Sequence, residues 1–329
     1  MALATWMRVP GHRSQKTGQF GIPSPPFCQQ GAFRVFAPEQ YELLDFGRGR
    51  RLERFGAVVL DRPCPAAEKL PLEQPQLWSQ AQARYERHGG QKGQWILLGP
   101  NLPERWTIEH PPFRLELKRT EFGQVGLFPE HAAHWDWIAQ QVAQAVVRTG
   151  QPLKLLHLFA YTGGGTLAAA AAGAEVVHVD AARNVVAWAR HNAALSGLAD
   201  RPIRWIVEDV RKFCKRALRR GEQFQAVLLD PPTYGHGAHG EVWRLQRDMP
   251  GLLELCAQVT AQDRRWILLT AHTPGFGPKR LRQLAARYFG DPGPDRLQAG
   301  RLLLLTRTGR ALPSGVFVRW QTEPIPTGG

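Results

Sequence analysis

Three acidic residues of this sequence stand where a carboxylate can meet a ligand. Asp180, Asp209 and Asp230 each lie at or just beyond the end of a short strand-like run, and another such run, 155–159, leads into the glycines 163–165. The carboxyl ends of parallel strands meet at one edge of an open α/β sheet, and ligands bind along that edge. The spacing therefore predicts an α/β fold with the three carboxylates gathered beside the glycine turn.

The glycine turn indicates which cofactor the edge would hold. Gly163, Gly164 and Gly165 are consecutive and have no basic neighbour, whereas dinucleotide-binding turns use G-x-G-x-x-G to admit a pyrophosphate. A cofactor without phosphate, S-adenosylmethionine, fits this pattern. Asp180 is placed to accept ribose hydroxyls and Asp209 to accept the adenine amino group, although either could instead cap the following helix.

These residues resemble the class I S-adenosylmethionine-dependent methyltransferases, close to the bacterial large-subunit ribosomal RNA methyltransferases. The resemblance spans roughly residues 41–320 and implies a Rossmann-like sheet. Its motifs are Gly126-Leu127-Phe128-Pro129-Glu130-His131, Phe159-Ala160-Tyr161-Thr162-Gly163-Gly164, Asp180, Asp209 and Asp230-Pro231-Pro232-Thr233-Tyr234.

The resemblance implies roles for these residues. The cofactor-binding set is Phe128, Pro129, Phe159, Tyr161, Thr162, Gly163, Gly164, Asp180, Ala181 and Asp209. The set facing the methyl group is Asp230, Pro231, Pro232 and Tyr234. Consecutive prolines fix φ and aim their carbonyls stiffly, so Asp230 and a carbonyl could hold an exocyclic amine. Tyr234 could stack on a flipped base.

One departure bears on the atom that is methylated. The 5-methylcytosine branch of the family has a cysteine nucleophile after the fifth strand, and residues 268–274 contain none. Cys214 and Cys256 fall on predicted helices, where they pack as small apolar residues. We therefore expect a base nitrogen as the target, either guanine N7 or an exocyclic amine. His236 and His272 are candidate proton acceptors.

The charge of the chain favours a polyanionic partner. The net charge is +14 and the pI about 10.3, which is typical of proteins that bind nucleic acid. A predicted helix near 210–220 repeats basic residues along one face: Arg211, Lys212, Lys215, Arg216, Arg219 and Arg220. This face could contact RNA phosphates, or it could simply be solvated.

Composition along the chain predicts three segments: a basic, flexible tail at 1–40, a small antiparallel β-rich domain at 41–122, and the methyltransferase domain at 123–329. In the first part we expect strands near 51–60, 95–98, 106–109 and 113–118. In the last part we expect helices at 131–147, 184–198, 241–259 and 278–288, with a terminal hairpin from 301–306 and 316–320.

Other features exclude some classes of protein. No run approaches the roughly 18 apolar residues of a membrane span. The four cysteines form no C-x-x-C pair, so we expect reduced thiols, no metal site and a cytoplasmic protein.

The sequence thus predicts an S-adenosylmethionine-dependent methyltransferase acting on RNA, in particular ribosomal RNA. The alternatives are a methyltransferase for a protein or small molecule, and a non-catalytic RNA-binding assembly factor with the same fold. Neither the target nucleotide nor the oligomeric state follows from the sequence.

Overall fold

The structure, a computed structural model, describes residues 36–88, 93–100, 102–236, 240–273 and 275–322. The predicted basic tail lies outside these residues, except for 36–40. No helix in the described part of the chain is long and apolar enough to cross a membrane.

Five strands form the first sheet, in the order β1-β2-β3-β4-β5. They are β1 (Tyr41–Gly47), β2 (Arg50–Phe55), β3 (Val58–Pro63), β4 (Ala83–Arg87) and β5 (Gly93–Leu97). The single strand expected at 51–60 is two strands, because Gly56 turns the chain with a φ of 60°. The sheet is antiparallel except where β3 pairs with β4 in parallel, which the sequence analysis did not anticipate.

The two alternating segments expected at 106–109 and 113–118 form a hairpin. Its strands are β6 (Arg105–His110) and β7 (Phe113–Lys118), paired antiparallel. The inward side chains Ile108, Phe113 and Leu115 are 0–1% exposed, as period-two alternation predicts for a half-buried strand pair.

The second sheet contains seven of the remaining strands in the order β10-β9-β8-β11-β14-β16-β15. They are β8 (Lys154–Leu158), β9 (Glu175–Asp180), β10 (Ile203–Val207), β11 (Ala226–Leu229), β14 (Trp266–Ala271), β15 (Leu297–Leu305) and β16 (Ala311–Gln321). The first five in spatial order are parallel, and β16 and β15 add the expected antiparallel hairpin. The order reverses beside β8, which is the switch point where open sheets bind ligands.

Helices cover both faces of this sheet. They are α1 (Ala132–Thr149), α2 (Gly164–Ala171), α3 (Arg183–Leu195), α4 (Val210–Arg219), α5 (Leu245–Val259) and α6 (Pro278–Phe289). The helix expected from 241 begins only at Leu245. The residues before it form β13 (Val242–Arg244), which pairs with β12 (Tyr234–His236).

Two hydrophobic clusters lie on opposite faces of the seven-stranded sheet. Helices α4, α5 and α6 pack on one face through residues such as Phe213, Leu252 and Leu281. The cluster on the other face includes residues of α1 and α2 and continues without a break into the first sheet, from Leu155 to Phe55. Because the two sheets share this cluster, the core has no break near residue 122. The domain boundary expected there stays a prediction.

Candidate active site

The turn after β8 contains three residues with left-handed backbone conformations. Phe159 has a φ of 56°, Tyr161 of 47° and Gly163 of 94°, and α2 begins at Gly164. Such conformations are strained for residues that carry a Cβ, and strain of this kind clusters at ligand sites. The turn lies at the carboxyl edge of the central strand, as the sequence analysis expected.

The glycines at the start of α2 make room for contacts within the protein. A Cβ on Gly164 would lie 2.5 Å from the ring of Trp135 on α1, and a Cβ on Gly165 would lie 2.6 Å from Leu228 on β11. These two glycines therefore let α2 pack closely on its neighbours. The role predicted for Gly164 in binding a cofactor stays a prediction.

The segment before α1 forms a wall beside the turn. The ring centroids of Phe128 and Tyr161 are 5.2 Å apart, and Thr162 Oγ1 donates to the carbonyl of Gly126 at 2.7 Å. Burial raises the pKa of Tyr161, so its hydroxyl stays protonated. Pro129 and Glu130 are buried, and Phe128 is half-buried at the mouth of the site.

Asp180 ends β9 with a half-buried carboxylate. Its Oδ2 accepts from the N–H of Tyr161 and its Oδ1 from the N–H of Ala182, both at 3.0 Å. Burial raises its pKa, although these backbone hydrogen bonds act in the opposite direction. No cation among the described residues pairs with it, so each oxygen keeps a lone pair for a ribose hydroxyl. Ala181 follows directly at the same edge.

Asp209, expected to bind the adenine amino group, is the N-cap of α4. Its Oδ1 accepts from the N–H of Arg211 at 3.0 Å and from that of Lys212 at 3.2 Å. The guanidinium of Arg211 also bonds Oδ2 at 3.1 Å. The capping interpretation is thus observed, and an adenine contact would have to use the remaining lone pairs.

Asp230, just after β11, is held by three side chains from two segments, the end of β14 and the residues before α1. Its Oδ1 accepts from the hydroxyl of Thr270 and lies 3.0 Å from Nε2 of His272, while its Oδ2 lies 3.1 Å from Nε2 of His131. Burial opposes ionisation, but the two histidines outweigh it and hold the pKa of Asp230 well below its usual value. The carboxylate is therefore ionised and fixed in orientation.

His272 is a bridge between two acceptors. Its Nδ1 lies 2.6 Å from the carbonyl oxygen of Ser314, to which it must donate, and its Nε2 faces Asp230. Burial lowers the pKa of His272, but Asp230 more than compensates and raises it to about 9. The sequence made His272 a candidate proton acceptor, but both of its ring nitrogens face acceptors and the ring is already protonated at neutral pH. It is therefore not free to accept a proton from a substrate. The side chain of His236 lies outside the described residues.

The turn of Asp230, Pro231 and Pro232 is anchored by a tryptophan. Trp243 Nε1 donates to the carbonyl of Pro232 at 2.7 Å, and its ring lies 5.0 Å from that of Phe159. The carbonyl of Pro232 therefore already accepts one hydrogen bond, and either it or the carbonyl of Pro231 could accept from a substrate. Tyr234, on β12, is 39% exposed.

The predicted residues are distributed over two clefts. One narrow cleft is lined by Phe128, Phe159, Tyr161, Thr162, Gly163 and Asp230. A second, wider cleft is lined by Asp209 with Glu208, Lys212 and Arg216. Asp180 lines neither cleft. It ends β9, which lies between β8, beside the first cleft, and β10, beside the second.

The basic face predicted on α4 is partly neutralised. Arg211 pairs with Asp209, Lys212 with Glu241, and Arg216 with Glu208 at 2.7 Å. Lys215, Arg219 and Arg220 are exposed and have no carboxylate partner within the described part of the chain. Of the six predicted residues, these three alone remain unneutralised by the described carboxylates.

Sequence reasoning missed three residues that shape the site. His131 stands within a motif that was recognised, but nothing in the sequence indicated that it reaches Asp230. Trp243 was not singled out, and no role in the site was predicted for Asn192. Asn192 Nδ2 donates to the carbonyl of Thr162 at 3.0 Å, and its Oδ1 accepts from the N–H of Glu116 on β7 at 2.9 Å.

Known proteins are similar to this chain in sequence and in fold. The family model described as S-adenosylmethionine-dependent methyltransferase matches residues 77–289. A solved structure of a SAM-dependent methyltransferase from Agrobacterium tumefaciens is 35% identical, with a TM-score of 0.79 over 86% of this chain and 91% of that one.

Two curated relatives are similar over part of the chain. Ribosomal RNA large subunit methyltransferase I of Aeromonas salmonicida is 38% identical over 183 residues, or 54% of this chain and 45% of that protein. Ribosomal RNA large subunit methyltransferase K/L of Chromohalobacter salexigens is 31% identical over 154 residues, or 46% of this chain and 20% of that protein. The matches thus cover less than half the length of these relatives.

The glycine turn, the carboxylates at the strand ends and the sheet order agree with the match to the family model. The half-buried Asp180, free of any cation among the described residues, fits the ribose of the nucleoside cofactor. The chain belongs to the S-adenosylmethionine-dependent methyltransferase family, and its cofactor is S-adenosylmethionine.

Proposed function

We propose that this protein transfers a methyl group to a base nitrogen of RNA, with ribosomal RNA as the substrate. The observation that carries this proposal is the similarity to methyltransferases named for large-subunit ribosomal RNA. The net charge of +14 supports a polyanionic substrate. A cytoplasmic location goes with it, since the described cysteines are free thiols.

A nitrogen target is supported by the position of the thiols. Cys64, Cys214 and Cys256 are buried and none lines the cleft that contains Asp230. Burial raises the pKa of Cys256 well above its usual value, so it is a thiol and a poor nucleophile. Cys28 lies outside the described residues. Covalent attack on a pyrimidine carbon therefore has no candidate among the described cysteines.

S-adenosylmethionine supplies an activated methyl group, so the residues need mainly to position the acceptor in line with it. Asp180 would hold the ribose and Asp209 the adenine. Pro231, with its carbonyl unclaimed by Trp243, would orient the base. Tyr234, exposed on β12, would stack on a base flipped out of its helix. Asp230, fixed by His131 and His272, would present a constant negative charge beside the acceptor.

The RNA would contact the unpaired part of the α4 face. Lys215, Arg219 and Arg220 are exposed there and have no carboxylate partner in the described residues. Each phosphate contact releases counterions, so log affinity should fall with log salt by about 0.7–0.9 per contact. Arg211, Lys212 and Arg216 are already paired with carboxylates, so they contribute less.

The test is transfer of labelled methyl groups from S-adenosylmethionine to RNA, followed by mass spectrometry of the nucleosides. We expect a methylated purine or an exocyclic N-methyl base in ribosomal RNA, and loss of activity in Asp230→Ala with cofactor affinity within a few-fold of wild type. Formation of 5-methylcytosine would contradict the nitrogen target. Methylation only of protein or of small molecules would contradict the RNA substrate, and RNA binding without turnover would indicate an assembly factor.

A second arm measures RNA affinity against salt concentration. Replacing Lys215, Arg219 and Arg220 by Gln should flatten the log–log slope by about two to three units. The matched control replaces Lys279, Arg280 and Arg287 by Gln, because these are equally exposed cations on α6. Equal slopes in the two triple variants would rule out α4 as the RNA contact.

A further inference from the structure

The side chains of His131, Asp230 and His272 meet at the carboxyl edge of β11 from three different elements. His131 precedes α1, Asp230 follows β11, and His272 follows β14. The ligand-capable atoms, two Nε2 nitrogens and a carboxylate oxygen, all lie within 4.8 Å of one another. We propose that these residues bind a divalent transition-metal ion beside the methyl-transfer site.

The geometry of His272 is that of a metal-binding histidine. Its Nδ1–H donates to the carbonyl of Ser314 at 2.6 Å, which orients the ring and fixes which nitrogen faces Asp230. Metal-bound histidines almost always donate their second N–H to a carbonyl or carboxylate in this way. A metal ion would displace the proton on Nε2 to solvent, and the Nε2 lone pair would then point at the cluster.

His131 provides an independent indication. Its Nε2 is buried and lies 3.1 Å from Asp230 Oδ2, yet it makes no well-directed hydrogen bond. The contact between His131 and Asp230 is thus an ion pair of poor hydrogen-bond geometry, and a metal ion between the ring and the carboxylate would give Nε2 a well-directed bond. The side chains of His131, Asp230 and His272 are 12%, 23% and 26% exposed, so the cluster is shielded but open to solvent on one side.

The donor set selects the kind of ion. Two imidazoles and one carboxylate suit zinc, iron, cobalt or manganese, whereas magnesium and calcium prefer oxygen ligands throughout. Small rotations of the two rings would bring all three ligands to the bond lengths of about 2.0–2.2 Å that zinc requires. Three protein ligands leave a coordination position for water or for an oxygen or nitrogen atom of the substrate.

The ion would thus hold the acceptor group of the substrate opposite the cofactor. This inference does not depend on RNA being the substrate, because metal binding is measured without any substrate. It also accounts for a carboxylate that carries three side-chain partners at a position where the substrate is expected.

The experiment is calorimetric titration of the full-length, chelator-treated protein with Zn²⁺, with Mg²⁺ as a second probe. We expect one Zn²⁺ per chain and much weaker Mg²⁺ binding. His131→Gln and His272→Gln should each weaken Zn²⁺ binding by at least about tenfold. The matched control is His191→Gln, which removes a histidine 3.2 Å from Glu116, a carboxylate that no second described histidine contacts, and this variant should bind Zn²⁺ as wild type does.

Folding of each variant is checked by its affinity for S-adenosylmethionine. Should a variant fail to fold, the wild-type protein is loaded with Co²⁺ and studied by NMR instead. An imidazole bound to Co²⁺, with its other N–H protected from solvent, gives a strongly shifted exchangeable proton resonance. No saturable Zn²⁺ binding, undiminished binding in both folded variants, or no shifted imidazole resonance with Co²⁺ would each overturn the metal site.

Discussion

A buried pair of histidines should make the fold sensitive to mild acid. His157 on β8 and His178 on β9 flank the hydroxyl of Thr166, with Nδ1–Oγ1 distances of 2.8 and 2.9 Å. Burial lowers the pKa of His157 to about 3, with nearby Asp230 and His131 acting in opposite directions. Burial also lowers the pKa of His178 well below its usual value, and His157 adds to this effect. Both rings are therefore neutral in the folded protein at neutral pH.

The size of the effect follows from proton linkage. Below pH 6.5 the unfolded chain protonates His157, whereas the folded chain does not until about pH 3. The contribution of His157 to the free energy of unfolding is therefore fully present above pH 6.5, and it is lost as the pH falls from 6.5 towards 3. For His157 alone, lowering the pH from about 7 to about 5 should reduce the free energy of unfolding by about 2 kcal/mol. Asp and Glu side chains ordinarily have pKa values near 4, below this range, whereas the ordinary histidine pKa of about 6.5 lies within it.

The assay is urea unfolding at these two pH values for wild type and His157→Asn. Asparagine retains a polar group near Thr166 but does not titrate, so the loss of stability between the two pH values should shrink by about 2 kcal/mol. His191→Asn is the control, because the side chain of His191 is 53% exposed, and its loss should equal that of wild type. An equal loss in His157→Asn and wild type would refute the assignment of a buried neutral ring.

Two further predictions concern the glycine turn and its partner carboxylate. Asp180→Ala should weaken S-adenosylmethionine binding in calorimetry by about 1.5–3 kcal/mol, because the ribose loses a charged acceptor; unchanged affinity would contradict the ribose assignment. Gly164→Ala should destabilise the fold in denaturant unfolding by about 1–3 kcal/mol, because its Cβ would meet Trp135. Gly251→Ala on α5, where a Cβ meets nothing within 4 Å, should be neutral or stabilising, and equal effects of the two alanines would argue against a clash at Gly164.

The sequence was most informative about the parallel part of the second sheet. Apolar runs followed by acidic residues predicted β9, β10 and β11 and their shared edge, because the two properties are local to each strand. It was less informative around β12 and β13. These strands are three residues each and depend on tertiary contacts such as the bond of Trp243 to Pro232, which no local pattern encodes.

The candidate site was predictable one strand at a time. Asp180, Asp209 and Asp230 lie at the strand ends, as expected, because each follows its own strand. The partners of Asp230 were not predictable, since His131 and His272 come from distant segments that meet only when β14 pairs with β11. The ion pair of Lys212 was missed for the same reason, because Glu241 lies in a distant segment, and the pair of Arg216 was missed because Glu208 precedes the helix and lies outside its periodic pattern.

Asn192 has a consequence for how this protein can be divided. Together with Trp188, whose Nε1 donates to the carbonyl of Glu116 at 3.0 Å, it joins β7 to the loop that starts α2. A fragment starting at residue 123 would lose these partners and expose the side of α3 that faces the hairpin. Such a truncated protein should aggregate on expression. A domain exchange with a related enzyme should give a folded protein only if the β6–β7 hairpin and the catalytic sheet come from the same parent.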